Sequence, residues 1–195
     1  MLITNRLNET MLNQVKKLNV GGMDLDINYD FKTCIKILQL FESPDLMDHE
    51  KQYVTLGLLF VETIPPELYS EASKQAVWFL DGGVEGLSKS ITERVYSWEQ
   101  DLRFIISATD KVLGYSSRER KDLHWWVFLS AFSEIGESVF GTIVHHRRQR
   151  KSGRQSREEK EWWSENIDIA KLNSQECTED QEKKREFEEL LKGEK

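Results

Sequence analysis

The sequence predicts a mainly α protein: a helical domain of about five core helices, an N-terminal β-hairpin, and a helical, charged C-terminal extension. Three observations predict it. Between residues 30 and 144 apolar side chains recur at intervals of three and four, in segments closed by Pro or Gly. Residues 15–28 instead alternate apolar and polar side chains around a Gly-Gly pair. Beyond residue 144 the chain turns polar, and its apolar residues fall into small clusters. The division that follows is 1–144 for hairpin and helical core, and 145–195 for a basic connector and a charged helical tail.

Each element has its own local reason. Met23, Leu25 and Ile27 share one face of a strand, and Gly21-Gly22 suits the tight turn of a hairpin. Asp30 reads as an N-cap for a helix carrying Phe31, Cys34, Ile35, Leu38 and Phe41, which Pro44 ends. A second helix starts near Asp48, with Tyr53, Leu56, Leu59 and Phe60 on its buried face. Pro65-Pro66 then leads into a third, with Leu68, Ala72, Ala76, Phe79 and Leu80, which stops at Gly82-Gly83. Residues 81–92, rich in Gly and Ser, read as a flexible linker. A fourth helix carries Tyr96, Leu102, Ile105 and Ile106, with Gly114 at its end. A fifth starts at Ser116 or Ser117 and carries Leu123, Trp126, Phe128 (or Val127), Leu129 and Phe132. Val139, Phe140, Ile143 and Val144 form a last short apolar segment. Residues 145–160 then read as a mobile connector, because nothing apolar interrupts their charges. A helix over Arg157–Leu172 carries Trp162, Trp163, Ile167 and Ile169, and a final one presents Phe187, Leu190 and Leu191.

Composition excludes several classes. With 38% hydrophobic and 31% charged residues, the chain is globular with a polar bias. No apolar run approaches the roughly 18 residues of a membrane span. The opening MLITNRLNET lacks the basic and apolar regions of a secretory signal. Cys34 and Cys177 lie far apart and fit neither a disulfide framework nor a metal motif, so a cytoplasmic setting is expected. Net charge is −7, yet six basic residues and no carboxylate lie between His145 and Arg157. This run reads as a solvated linker; nucleic-acid contact is the alternative. The acidic balance of the chain and the absence of interleaved aromatics weigh against nucleic acid.

Catalytic patterns are missing. The glycine pairs lack the flanks of a phosphate loop, and no GxSxG, HExxH or CxxC occurs. His145 and His146 are adjacent, so a helix points them apart, which suits no metal pair. His124 beside Trp125-Trp126 reads as a packed aromatic rather than a catalytic base. The expectation is therefore a binding protein without cofactor or metal, not an enzyme. Trp125 and Trp126 read as core. Trp162 and Trp163, outside the core, are candidate contact anchors together with Ile167, Phe187 and Leu190.

Arg94-Val95-Tyr96-Ser97-Trp98, followed by Glu99-Gln100-Asp101 and later by Leu123-His124-Trp125-Trp126-Val127-Phe128, resembles a known phage family. It is the family named after gene product fifteen of a Gram-positive siphophage. Members show Arg-Val-Tyr-Asp-Phe-Glu-x-Asp and then Leu-His-Trp-Trp-x-Phe. The Gly-Gly hairpin, the run Asn28 to Lys32, the Pro-Pro pair and the glycine-rich linker agree as well. Ser97-Trp98 replaces the usual Asp-Phe. The resemblance spans residues 15–145, with Arg94, Tyr96, Asp101, His124, Trp125, Trp126 and Phe128 as structural motif positions. Family genes lie just ahead of the tape-measure gene, among tail-assembly chaperones. The resemblance therefore implies a prophage or phage chaperone-like protein that binds the tape-measure protein during tail assembly in the host cytoplasm. It implies absence from the finished virion, with tail-tube protein as a further partner; the apolar clusters of the C-terminal arm could also dock on a second copy of the chain. A structural tail or connector component is the competing class, and a nucleic-acid-binding module a third.

Overall fold

A computed structural model describes residues 14–84 and 94–173 of the chain. They form two strands and eight α-helices: β1 (Lys17–Val20), β2 (Met23–Asp26), α1 (Phe31–Glu42), α2 (Asp48–Leu59), α3 (Tyr69–Leu80), α4 (Leu102–Leu113), α5 (Trp125–Ser133), α6 (Val139–Ser152), α7 (Arg157–Glu165) and α8 (Ile167–Ala170). The mainly α class with an N-terminal hairpin is the one the sequence predicts.

β1 and β2 pair antiparallel, Lys17 opposite Asp26 and Val20 opposite Met23. Gly21 and Gly22 turn the chain at φ 61° and 79°, two successive left-handed residues that match the twist of the strands. Leu18 and Val20 are buried, and β1 packs on α3. After the hairpin, Asn28 donates to the last carbonyls of α2: its side chain to Leu58 at 2.8 Å, its backbone to Leu59 at 2.7 Å. Helix ends leave such carbonyls without partners of their own. Two residues later Asp30 accepts from the Thr33 amide at 3.0 Å, a cap worth about 1 kcal/mol. One short segment thus closes α2 and opens α1.

α1 is wedged between α2 and α5. Phe31, Cys34 and Ile35 are buried as their spacing predicts; Ile37 joins them, and Phe41 in the last turn is exposed. In α2 the buried face is rotated toward Thr55, Leu56 and Leu59, so Tyr53, which periodicity places inward, is 64% exposed. α3 buries Ala72, Ala76, Phe79 and Leu80 as predicted. Asp81–Val84, the start of the expected flexible linker, is a turn in which Gly83 is buried. The rest of that linker lies outside the described residues.

Three expectations are corrected. α4 starts at Leu102, not near Tyr96, because residues 97–100 form a turn pinned by two carboxylates. Asp101 accepts from the Ser97 amide at 2.9 Å, and Glu42 accepts from the Trp98 amide at 2.8 Å. α5 starts at Trp125 rather than at Ser116 or Ser117, which lead into a short 3-10 turn, Ser117–Glu119. The cap is His124, an uncommon capping residue. Finally, the basic run is not a connector: α6 continues through residue 144 to Ser152, and Arg147 is buried. Phe140, Ile143, Val144 and Arg147 form one helical stripe whose fourth member is a cation. A charge at that position reads as a solvated face unless its partner is known.

Candidate functional site

The Trp-Trp pair closes the end of α3. The Trp125 indole donates to the Leu80 carbonyl at 2.9 Å and the Trp126 indole to the Phe79 carbonyl at 2.8 Å. Two consecutive indoles thus serve carbonyls at a helix terminus, where intrahelical donors run out. Trp125 is fully buried and stacks on Phe128, which stacks in turn on Phe31. Trp126 is half-buried, edge-on to Trp78. Gly83 sits against it: a Cβ there would lie 2.9 Å from Trp126 Cη2, and its φ is 79°. The glycine turn and the Trp-Trp motif are two sides of one contact.

His124 joins the hairpin to α5. Its Nδ1 accepts from the Trp126 amide at 3.1 Å, so Nε2 carries the proton and donates to the Val15 carbonyl at 2.8 Å. Burial lowers its pKa, and the nearby Lys16 charge adds to that. The neutral ring is the form that can both accept and donate here. Beside it, the Phe31 amide donates to Leu123 at 3.0 Å and the Trp125 amide to Tyr29 at 2.8 Å. The two motif segments therefore start α1 and α5 side by side.

The remaining motif residues build a polar hub. Arg94 donates to Glu42 at 3.0 Å and to the Tyr96 carbonyl at 3.2 Å. The Tyr96 ring packs on Trp98, Phe132 and Phe140. Asp101, buried, takes a forked pair of bonds from Arg147. The other guanidinium donors reach the carbonyls of Val95 at 3.2 Å, Ile169 at 2.8 Å and Ala170 at 2.7 Å. All of the N–H groups an arginine carries are used. Arg147 thereby ties α4, α6 and α8 together. Reading the sequence element by element misses Arg147 and Glu42. The signal for Arg147 was its spacing from Phe140, Ile143 and Val144; for Glu42 no local signal exists.

The sequence-derived contact candidates occupy different situations. Trp162 stacks on His146 with ring centroids 3.7 Å apart, and Arg150 lies 4.4 Å from the Trp163 ring. Both indoles are half-buried against α6. Ile167 is exposed. Phe187 and Leu190 lie outside the described residues, as does Cys177. The described arm is thus docked on its own chain. Ser156 and Glu159 form a capping box at its start, and Glu159 also reaches His145 at 3.3 Å.

Burial, with the Asp30 charge adding, pushes the Cys34 thiol far above its ordinary value, so it stays protonated. Among the described residues no group of three or more His, Cys, Asp or Glu side chains is placed to hold a metal ion. No described helix is long and apolar enough to cross a membrane.

The family model described as Bacteriophage Gp15 protein matches residues 11–172. The match extends past residue 145, where the motif resemblance ends, and takes in α7, α8 and both ends of the Asp101–Arg147 pair. No curated protein and no solved structure matches the chain. A match of this extent over hairpin, helices and hub makes the chain a phage-related protein, a member of the bacteriophage Gp15 protein family.

Proposed function

We propose that the chain is a tail-assembly chaperone-like protein: it binds the tape-measure protein in the host cytoplasm and leaves before the particle is complete. The observation that supports this reading is where the family's motif residues sit. Arg94, Tyr96, Asp101, His124, Trp125, Trp126 and Phe128 are each engaged in holding helices to one another. Such a protein acts through its surface rather than through a reacting centre. The job suits a small helical body. A tape measure is a long helix whose apolar stripes aggregate in water unless another apolar surface covers them reversibly.

Co-expression with the tape-measure protein tests the reading, with co-purification and a soluble tape measure as the expected result. Mass spectrometry of purified particles separates the competing class. A stoichiometric presence of the chain would make it a structural tail component instead. A gel-shift titration against salt tests nucleic-acid binding, where phosphate contacts would produce steep salt dependence.

A further inference from the structure

We propose that the outward face of α2 is a docking groove for a single partner helix with an apolar stripe flanked by Lys and Arg. The proposal rests on the tape-measure reading and names the surface and the chemistry of that contact.

α2 is apolar on two sides. Leu56 and Leu59 face the core, while Tyr53 is 64% exposed, Val54 36% and Val61, just past the helix, 63%. Single exposed apolar residues are ordinary, but these are contiguous. With Gly57, Ile64 and Tyr69 they line an open groove of about 340 Å³. Tyr53 and Tyr69, ring centroids 6.4 Å apart, stand together on it. On α2, Tyr53 and Val54 lie four and three positions before Gly57 and share its face, and Val61 borders the groove just past the helix end, so the groove follows the last turns of the helix and fits another helix laid beside it.

Nothing among the described residues explains Gly57. It is not among the glycines with positive φ, and a Cβ there would meet nothing within 4 Å. Glycine is a poor helix former, so an alanine would serve the isolated fold better. What glycine supplies is a notch on the exposed face that lets a partner come close. Charge completes the description. Residues 45–71 contain six carboxylates and one lysine. Glu62 lines the groove, and Glu50 lies one turn ahead of Val54 on the same helix. An acidic surround favours a partner with basic flanks and raises the rate of encounter.

The test uses the full chain co-expressed and titrated with the tape-measure protein. Gly57→Leu fills the notch without touching the core, so its melting temperature should hold or rise while affinity falls about tenfold or more. Val61→Asp, outside the helix, should also weaken capture, and Glu62→Lys should reduce its salt dependence. Val112→Asp, on an exposed position of α4, should leave capture unchanged. Capture by Gly57→Leu equal to that of the unmodified chain overturns the groove while the tape-measure reading stands. Failure of the unmodified chain to capture the tape measure overturns both. Loss of self-association in Gly57→Leu, with capture intact, assigns the groove to a second copy of the chain and likewise overturns the proposal.

Discussion

Replacing Arg147 by Ala should destabilise this protein more than any other single change in its basic run. The Arg147 and Asp101 side chains are 2% and 1% exposed. Removing the guanidinium leaves the Asp101 carboxylate buried, with the Ser97 amide at 2.9 Å as its remaining described partner. It also strips donors from the carbonyls of Val95, Ile169 and Ala170. Breaking a buried pair by deleting one member costs about 3–5 kcal/mol, because the other charge stays desolvated. For a chain of this size each kcal/mol moves the melting temperature by about 2–4 °C, so a fall of roughly 6–20 °C is expected. Urea titration followed by circular dichroism measures it, with the midpoint lowered and the slope unchanged. The double variant Asp101→Leu/Arg147→Met should lose less than the two single changes combined, since it leaves no orphan charge. Hydrogen exchange should show residues 167–170 losing protection first. A loss under about 1 kcal/mol, or single effects that simply add, would refute the reasoning by showing that the pair is hydrated and uncoupled.

Trp125→Ala should cost about 3–5 kcal/mol, whereas Trp125→Phe, which keeps a ring but loses the bond to Leu80, should cost clearly less; denaturant titration of both variants compares them. Gly22 and Gly83 share a φ of 79°, but a Cβ at Gly22 meets nothing within 4 Å while one at Gly83 meets Trp126 at 2.9 Å. Gly22→Ala should therefore cost about 1–2 kcal/mol from the backbone, and Gly83→Ala a further 1–3 kcal/mol or so from overpacking; equal losses in thermal melts would mean that the indole yields freely. Burial lowers the pKa of both His124 and His146 from the ordinary 6.5. The unfolded chain then binds protons that the folded chain refuses, so this contribution is present above pH 6.5 and is lost as pH falls from there toward the folded values. Melting temperature should drop on acidification, and His124→Asn, which keeps a cap acceptor but cannot titrate, should flatten the slope.

The helices themselves were legible wherever the signal is local. Asp30, the apolar spacing after it and Pro44 mark α1 within a few residues of each boundary, because caps and proline act on the adjacent turn. The Gly-Gly hairpin and the end of α3 were legible for the same reason. Trp125 could be read as core from its place in an apolar run, and it is fully buried. The aromatic arm was less legible. Trp162 and Trp163 read as candidate contact anchors, and periodicity does not reveal that His146 and Arg150 face them.

The sequence by itself determined the helical class, the hairpin, most helix termini and the family, since periodicity, capping and short motifs act over a few residues. The tertiary structure decided where polar groups find partners. Glu42 lies 56 positions before the Trp98 amide it accepts from, and Arg147 lies 46 positions after Asp101. A charge in a helical pattern reads as solvent-facing because an unpaired charge cannot be buried. Only the fold, by bringing a distant carboxylate to within hydrogen-bonding reach, turned Arg147 from a surface residue into part of the core.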